Sequence, residues 1–356
     1  MKPEANRTEP TPRPDSKPVG THPSQGGDPG NTVGESSAQI PSAGGVAAGR
    51  GGSSAVVAGR RAGMVAIVGR ANVGKSTLLN RLLGEKVSIV SPVAQTTRRL
   101  IRGILNEPRG QLVFLDTPGV HVASYDLGHV MNRTARAAIE GVDVVLLVLD
   151  GSTAPRREDE GWMRRLLFQD VPVVALLNKC DQGTDHIAAY QQRWASVAKE
   201  KQSAKQADWL RASAATGEGV VGLVSRLFEL APVGEQLFPA DILSDYPRKL
   251  AVGDVVREKY FHELRAELPH TLAVEIENIE EGPAGWLAKG SVLVEKPSQK
   301  PILLGAKGRL FKKVIAAAEQ DLAEMYGVAV KLELWIRVEK NWQKNFWILK
   351  RLGYVP

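Results

Sequence analysis

Gly69-Arg70-Ala71-Asn72-Val73-Gly74-Lys75-Ser76 has the spacing G-x-x-x-x-G-K-S, and these residue types suit it to holding the phosphates of a nucleotide. The segment follows a β-branched run, Val65-Ala66-Ile67-Val68, and precedes Leu78, Leu79, Leu82 and Leu83, which share one helical face. In that strand-turn-helix context the glycines let backbone N–H groups wrap the phosphates at a helix N-terminus. Lys75 would reach the β- and γ-phosphates, Ser76 would offer its hydroxyl to Mg2+, and Thr77 would complete the first turn of the nucleotide-binding set.

Further candidates stand at the ends of later apolar runs. Asp116-Thr117-Pro118-Gly119 follows Leu112–Leu115, so Asp116 can hold Mg2+ through its water shell and the Gly119 amide can sense the γ-phosphate. Asn178-Lys179-Cys180-Asp181 follows Val173–Leu177. The Asp181 carboxylate can accept from the N1–H and 2-amino group that guanine has and adenine lacks, while Lys179 packs across the base and Asn178 braces the pocket. Ser213 and Ala214, after Trp209-Leu210-Arg211, are placed to offer backbone N–H groups to the guanine O6. In Gln95-Thr96-Thr97-Arg98, Thr97, with Thr96 as the alternative, can bring a hydroxyl to Mg2+ only while the γ-phosphate is present, which makes a switch. Val120 stands where several GTPases carry a water-orienting glutamine, so slow intrinsic turnover is expected. Asn72 either holds a monovalent cation such as K+ against the phosphates through its amide carbonyl or braces the loop. Lys75, Thr97, Asn72 and Gly119 are thus the catalytic candidates.

Positioning these groups requires a layered α/β frame. Apolar runs of 4–8 residues without alternation, as at Val65–Val68, Leu112–Leu115, Val144–Leu149 and Val173–Leu177, are expected of strands buried on both faces, and their separation leaves room for crossover helices. The fold class expected is an α/β P-loop domain with a mostly parallel, doubly wound sheet over residues 61–231, then a linker over 232–240. Residues 1–60 hold 11 of the 35 glycines and 8 of the 21 prolines with no Phe, Trp or Tyr, too little apolar surface to offset chain entropy, so a disordered tail is expected. An organelle transit peptide is the competing reading, and five carboxylates in the segment argue against it. No apolar h-region suggests a secretory signal. The longest apolar stretches fall far short of the ~20 residues of a spanning helix, and the lone Cys180 excludes an internal disulfide and a Cys-rich zinc site. These features indicate an intracellular protein. The net charge of +7 hints at a polyanionic partner.

Residues 241–356 differ in texture. Thr271–Glu277 and Lys331–Val338 alternate apolar and polar, as half-exposed strands with one open face do, and Leu310–Tyr326 has helical apolar spacing, so an α+β domain is expected. Gly305-Ala306-Lys307-Gly308 reads G-x-x-G at the start of that helix; in a KH fold such a loop clamps the backbone of a single-stranded nucleic acid. From Lys296 to Ala318 there are six basic residues and no acidic one, and Ala306, Lys307, Arg309, Lys312 and Lys313 join the two glycines as the RNA-binding candidates. Trp335, in mid-strand, is read as core.

The ordered motifs Gly-Arg-x-Asn-Val-Gly-Lys-Ser, Gln-Thr-Thr-Arg and Asp-Thr-Pro-Gly, with Lys340-Asn341-Trp342 and Leu352-Gly353-Tyr354 downstream, resemble the Era family of bacterial GTPases from about Gly63 to Pro356. That family also has a hydrophobic residue where Val120 stands. Its loop more often reads Ile-Gly where this chain has Leu304-Gly305, a change that leaves the clamp intact. The resemblance implies a type II KH domain, GTP/GDP and Mg2+ as cofactors, and binding to the 3′ end of 16S rRNA in 30S subunit assembly. It further implies a cytoplasmic monomer, with association at the periphery of the inner membrane reported for the family. The rival reading is a GTPase switch whose second domain docks on a protein or membrane surface. A third, an ATP-dependent enzyme, requires adenine preference. Asp181→Asn is expected to collapse GTP affinity by roughly a hundred-fold, the loss of two charge-assisted hydrogen bonds, and to leave ATP binding unaffected; titration with fluorescent nucleotides checks it, and tight GTP binding by the variant overturns the guanine assignment.

Overall fold

Alternation along each buried strand sends side chains to two separate cores, and this explains why the central runs are apolar throughout. The computed structural model describes residues 59–93, 95–120, 126–183, 185–265 and 268–355. The expected tail lies outside them except for Gly59 and Arg60. The N-terminal elements are β1 (Arg61–Val68), α1 (Lys75–Leu83), β2 (Ile101–Glu107), β3 (Gly110–Asp116), α2 (Asp126–Ala137), β4 (Val144–Asp150), α3 (Arg157–Leu166), β5 (Val173–Asn178), α4 (Ile187–Glu200), β6 (Asp208–Arg211) and α5 (Val220–Leu230). The sheet order is β2-β3-β1-β4-β5-β6, with only β2–β3 antiparallel. Val65 and Ile67 point into a core with Leu78, Leu79, Leu223 and Leu227 of α1 and α5. Ala66 and Val68 point into the other, with Trp162, Met163 and Trp194 of α3 and α4.

The stretch expected as a linker is hydrogen-bonded to the sheet. Gln111, fully buried, accepts from the amides of Leu237 and Phe238 at 2.8 and 2.9 Å through Oε1, and donates to Phe238 O at 2.8 Å. Ile104 N then donates to Leu243 O at 2.8 Å. The chain therefore runs along the outer edge of β2 and satisfies an otherwise open edge.

The C-terminal elements are α6 (Arg248–Glu263), α7 (Leu268–Thr271), β7 (Ala273–Gly282), β8 (Gly285–Val294), α8 (Lys300–Leu304), α9 (Arg309–Tyr326), β9 (Val330–Val338) and α10 (Phe346–Arg351). β7 pairs antiparallel with β8, and β8 parallel with β9. One face of this sheet packs on α6 and α9 through Val255, Tyr260, Val314 and Leu322.

Two expectations need correction here. The strand placed at Thr271 starts at Ala273, Thr271 closing a short helix, and Ala273–Ile276 are all buried instead of alternating. The second face of the sheet is covered at that end by Trp342, Ile348, Leu349, Leu352 and Tyr354, with Leu127 and Met131 of α2. Glu275 tolerates this burial because Arg337 lies 3.2 Å away and Arg351 also pairs with it. Trp335, expected in the core, is 60% exposed, since Leu332, Leu334 and Ile336 take the inward positions of β9 and residue 335 must face the other way.

Candidate nucleotide site and its contact with the C-terminal domain

Strand ends and one helix start bring the candidate groups together. After β1 the backbone turns through Gly69 at φ 151°, where a Cβ would fall 2.3 Å from Val148 O, so only glycine lets the turn lie this close to β4. Gly74 at φ 96° then starts α1. Buried Lys75 donates Nζ to Arg70 O at 2.9 Å and Gly69 O at 3.3 Å, and its burial lowers its pKa to about 8 against the raising effect of Asp116. Ser76 Oγ donates to Asp116 Oδ2 at 2.7 Å and lies 2.8 Å from Thr97 Oγ1. Thr96 turns away, its hydroxyl meeting Ser91 and Val93 O.

Asp116 is fully buried at the end of β3, and burial raises its pKa although Lys75, Ser76 and Ser88 oppose this. Its Oδ1 has no protein partner among the described residues. An orphaned buried carboxylate oxygen beside two hydroxyls is a hard-oxygen donor set that fits Mg2+. Thr117 anchors the next turn by donating to Ile67 O at 2.8 Å, and Pro118 and Gly119 are buried. A Cβ on Gly119 would meet the Ala71 backbone at 2.7 Å, so this loop lies directly on the phosphate loop. Asn72, at φ 63°, donates its amide nitrogen to Pro92 O at 3.1 Å, which braces the segment carrying Thr97.

Where guanine is expected, Asn178 donates Nδ2 to Val73 O at 2.8 Å and accepts from the Ala214 amide at 2.9 Å, joining the phosphate loop to the last loop. The Ser213 amide donates to Glu218 O, so a guanine O6 reaching Ala214 would share or replace the Asn178 bond. Asp181 stands exposed in a short 3-10 turn. Lys179, at φ 69°, ties Nζ to Asp150 Oδ2 at 2.8 Å.

Sequence reasoning missed a buried cluster behind these loops. The Arg70 side chain leaves the phosphate side and pairs with Asp150 at 3.2 Å and Asp159 at 3.3 Å, and Tyr190 OH donates to Asp159 at 3.3 Å. Burial pushes the Asp150 carboxyl up, but Lys179, Ser152 and Arg70 together hold it below the usual range. Its signal was available, since Asp150 ends β4 as Asp116 ends β3.

Residues 86–93 and 95–99, which carry Thr97, make extensive contacts with the C-terminal domain. Ile89 belongs to that domain's core. Lys86 pairs with Glu258 and Asp321, and Val90 N donates to Glu258 Oε1 at 2.8 Å. Arg98 donates to Leu272 O at 2.9 Å and to Pro269 O and His270 O at 3.2 Å. Arg99 donates to Leu352 O at 2.8 Å and to Asp254 at 2.7 Å, while Arg257 donates to Thr96 O and to Tyr354 OH.

The G-x-x-G loop begins at Gly305, φ 69°, where a Cβ would fall 2.7 Å from Leu310 Cβ; Lys307 is left-handed at φ 52°, and Gly308 faces open space at φ 74°. Ala306, Lys307, Arg309, Lys312 and Lys313 are exposed, and Lys313 also pairs with Glu263 of α6 at 2.8 Å. Beside the loop, Phe311, Lys312 and Ile315 of α9 and Leu334 and Trp335 of β9 line a groove of about 400 Å³.

Fold and site together define a P-loop GTPase domain joined to a KH domain. Residues 64–179 match the family described as 50S ribosome-binding GTPase, and 267–343 match the KH domain family. The chain is 39% identical over 297 residues to GTPase Era of Geobacter metallireducens, covering 82% of this chain and 96% of that protein. It is 36% identical over 292 residues to GTPase Era of Rippkaea orientalis, covering 82% and 91%. A variant of Aquifex aeolicus Era bound to GDP.AlF4- superposes with a TM-score of 0.76 at 35% identity, over 83% of this chain and 100% of that one. Era in complex with MgGDPNP and nucleotides 1506–1542 of 16S ribosomal RNA gives 0.75 at 35% identity with the same coverage. The chain belongs to the GTPase Era family, and it hydrolyses GTP with GTP/GDP and Mg2+ as its cofactors.

Tyr354 offers a pH test of the arginine cluster. Burial raises its pKa, but Arg257, Arg99 and Arg98 outweigh this and bring it down to about 8. A folded pKa below the unfolded value of ~10 gives stability that is full above pH 10 and lost as pH falls through 8. Relative to Tyr354→Phe, the protein is expected to gain about 2 kcal/mol between pH 8 and 10 in urea unfolding; a constant difference across that window contradicts the arrangement.

Proposed function

We propose that this chain is a GTP-driven switch that binds the single-stranded 3′ end of 16S rRNA and acts in assembly of the 30S subunit. The observation carrying this is that Thr97, 2.8 Å from Ser76 at the proposed cation site, lies between Ile89, part of the KH-domain core, and Arg98 and Arg99, which are buried against that domain. Whatever fixes Thr97 therefore fixes the KH domain as well. In this reading Gly69, Arg70, Ala71, Asn72, Val73 and Gly74 present their backbone to the phosphates, Lys75 neutralises charge on the β- and γ-phosphates, and Ser76 and Thr97, with Asp116 through water, hold Mg2+. The cation, when bound, neutralises charge developing on the transferred phosphoryl group. Asn178, Lys179 and Asp181 select guanine.

Turnover is slow in this reading, because Val120 cannot orient a water and Arg70 is tied to Asp150 and Asp159, out of reach as a finger in cis. Asn72 braces the switch segment through its nitrogen, and its carbonyl oxygen is the atom available to a monovalent cation such as K+. The domains divide at residues 61–231 and 241–356, with the strap over 232–240 between them. The protein acts as a cytoplasmic monomer. No described helix is long and apolar enough to cross a membrane; attachment to the inner membrane would have to be peripheral.

RNA contact runs through Gly305–Gly308, Arg309, Lys312 and Lys313. Both glycines have positive φ, so either Asp strains the backbone; Gly308→Asp adds its carboxylate where nothing lies within 4 Å, whereas Gly305→Asp also clashes with Leu310. Each is expected to weaken binding of a 16S 3′-end oligonucleotide by at least about ten-fold in fluorescence anisotropy. Undiminished binding by both variants overturns the KH reading.

A further inference from the structure

The end of the chain carries an aromatic pair that the fold does not use. On α10, Ile348 and Leu349 are buried against Trp342 and Leu352, whereas Phe346 is 54% and Trp347 74% exposed. Their rings form an edge-to-face pair 5.5 Å apart. One helical turn beyond each aromatic stands an exposed cation, Lys350 after Phe346 and Arg351 after Trp347. Exposed Lys340 and Lys344 precede them, and no acidic residue occurs from Lys340 to Pro356. Arg351 also pairs with Glu275.

We infer that Phe346 and Trp347 form a second RNA-binding surface, a stacking platform for unpaired bases lying beyond those held by the G-x-x-G clamp. The inference rests on the ribosomal-RNA reading above. A KH clamp holds about four nucleotides, so a longer strand needs further contacts. Every base offers a π-face, and exposed rings flanked by cations hold single strands through stacking plus phosphate attraction. The platform continues the chain that forms the other face of the groove, running from Trp335 through β9 to α10. An anionic lipid surface shares the preference for cations and aromatics, but α10 has only six residues and Ile348 and Leu349 are buried, so two rings remain where an interfacial helix presents a long apolar face.

The test uses the full chain with Phe346→Ser and Trp347→Ser combined, loaded with a non-hydrolysable GTP analogue. Both side chains are exposed, so the melting temperature should not change. Binding is measured to a 16S 3′-end oligonucleotide just long enough for the clamp and to a single strand extending well past it. The longer strand should weaken by at least about ten-fold and the short one should not change. Equal affinities for the longer strand in wild type and variant overturn the platform, as does an equal loss on both RNAs. Reduced co-sedimentation with phosphatidylglycerol vesicles while both RNA affinities stay intact overturns it in favour of a membrane contact. Failure of the wild type to bind either RNA overturns the ribosomal-RNA reading, and this surface with it.

Discussion

Arg98 and Arg99 bury their guanidinium groups in the KH domain immediately after Thr97 places its hydroxyl against Ser76. A buried guanidinium is tolerable only where its donors are satisfied, and breaking such a pairing on one side costs about 3–5 kcal/mol. Here backbone carbonyls at Pro269, His270, Leu272 and Leu352 and the Asp254 carboxylate, all C-terminal to residue 240, satisfy these donors except Arg98 Nε, which has no hydrogen-bond partner among the described residues. Arg257 closes the loop in the opposite direction by donating to Thr96 O. Displacement of Thr97 from the cation site must strain these contacts or carry the KH domain with it. The remaining features serve that constraint: the strap along β2, the apolar contact of α2 with Trp342 and the Lys86 pairs all seat the two domains around the switch segment.

The convergence of the candidate nucleotide residues was largely legible because it depends on local sequence. Gly69, Gly74, Lys75, Asp116 and Asn178 occur at fixed offsets from apolar runs, and the ends of those runs are the ends of parallel strands. Less visible were groups whose environment is made by distant chain. α6 went unnoticed because Asp254, Arg257 and Glu258 are buried, which erases the polar face that periodicity seeks; their partners Arg99, Thr96 O and Lys86 lie over 150 residues earlier. β2 was missed because it is an edge strand covered by the strap. Trp335 was misassigned because hydrophobicity outweighed phase, although the alternation of β9 itself places residue 335 opposite Leu334.

Specificity and switching therefore occupy different layers of one molecule. Asn178 is tied to the phosphate loop through Val73 O and Lys179 to Asp150, which also holds Arg70, so the proposed base and phosphate residues are linked at the strand ends. Thr97 belongs to a segment that bridges the two domains, with Ser88 on Asp116 and Pro92 O on Asn72 at one side and Ile89, Arg98 and Arg99 in the KH domain at the other. The G-x-x-G loop, the proposed RNA clamp, stands at the start of α9, on which α6 packs.

The account is tested most directly by measuring the reciprocal coupling between nucleotide and RNA in the wild type and in Arg99→Lys. The account predicts that a GTP analogue tightens RNA binding relative to GDP, that RNA tightens the analogue relative to GDP by the same factor, of about 5-fold or more, and that the factor falls toward one in Arg99→Lys. RNA affinity that is equal with both nucleotides, or coupling that survives intact in Arg99→Lys, would contradict it.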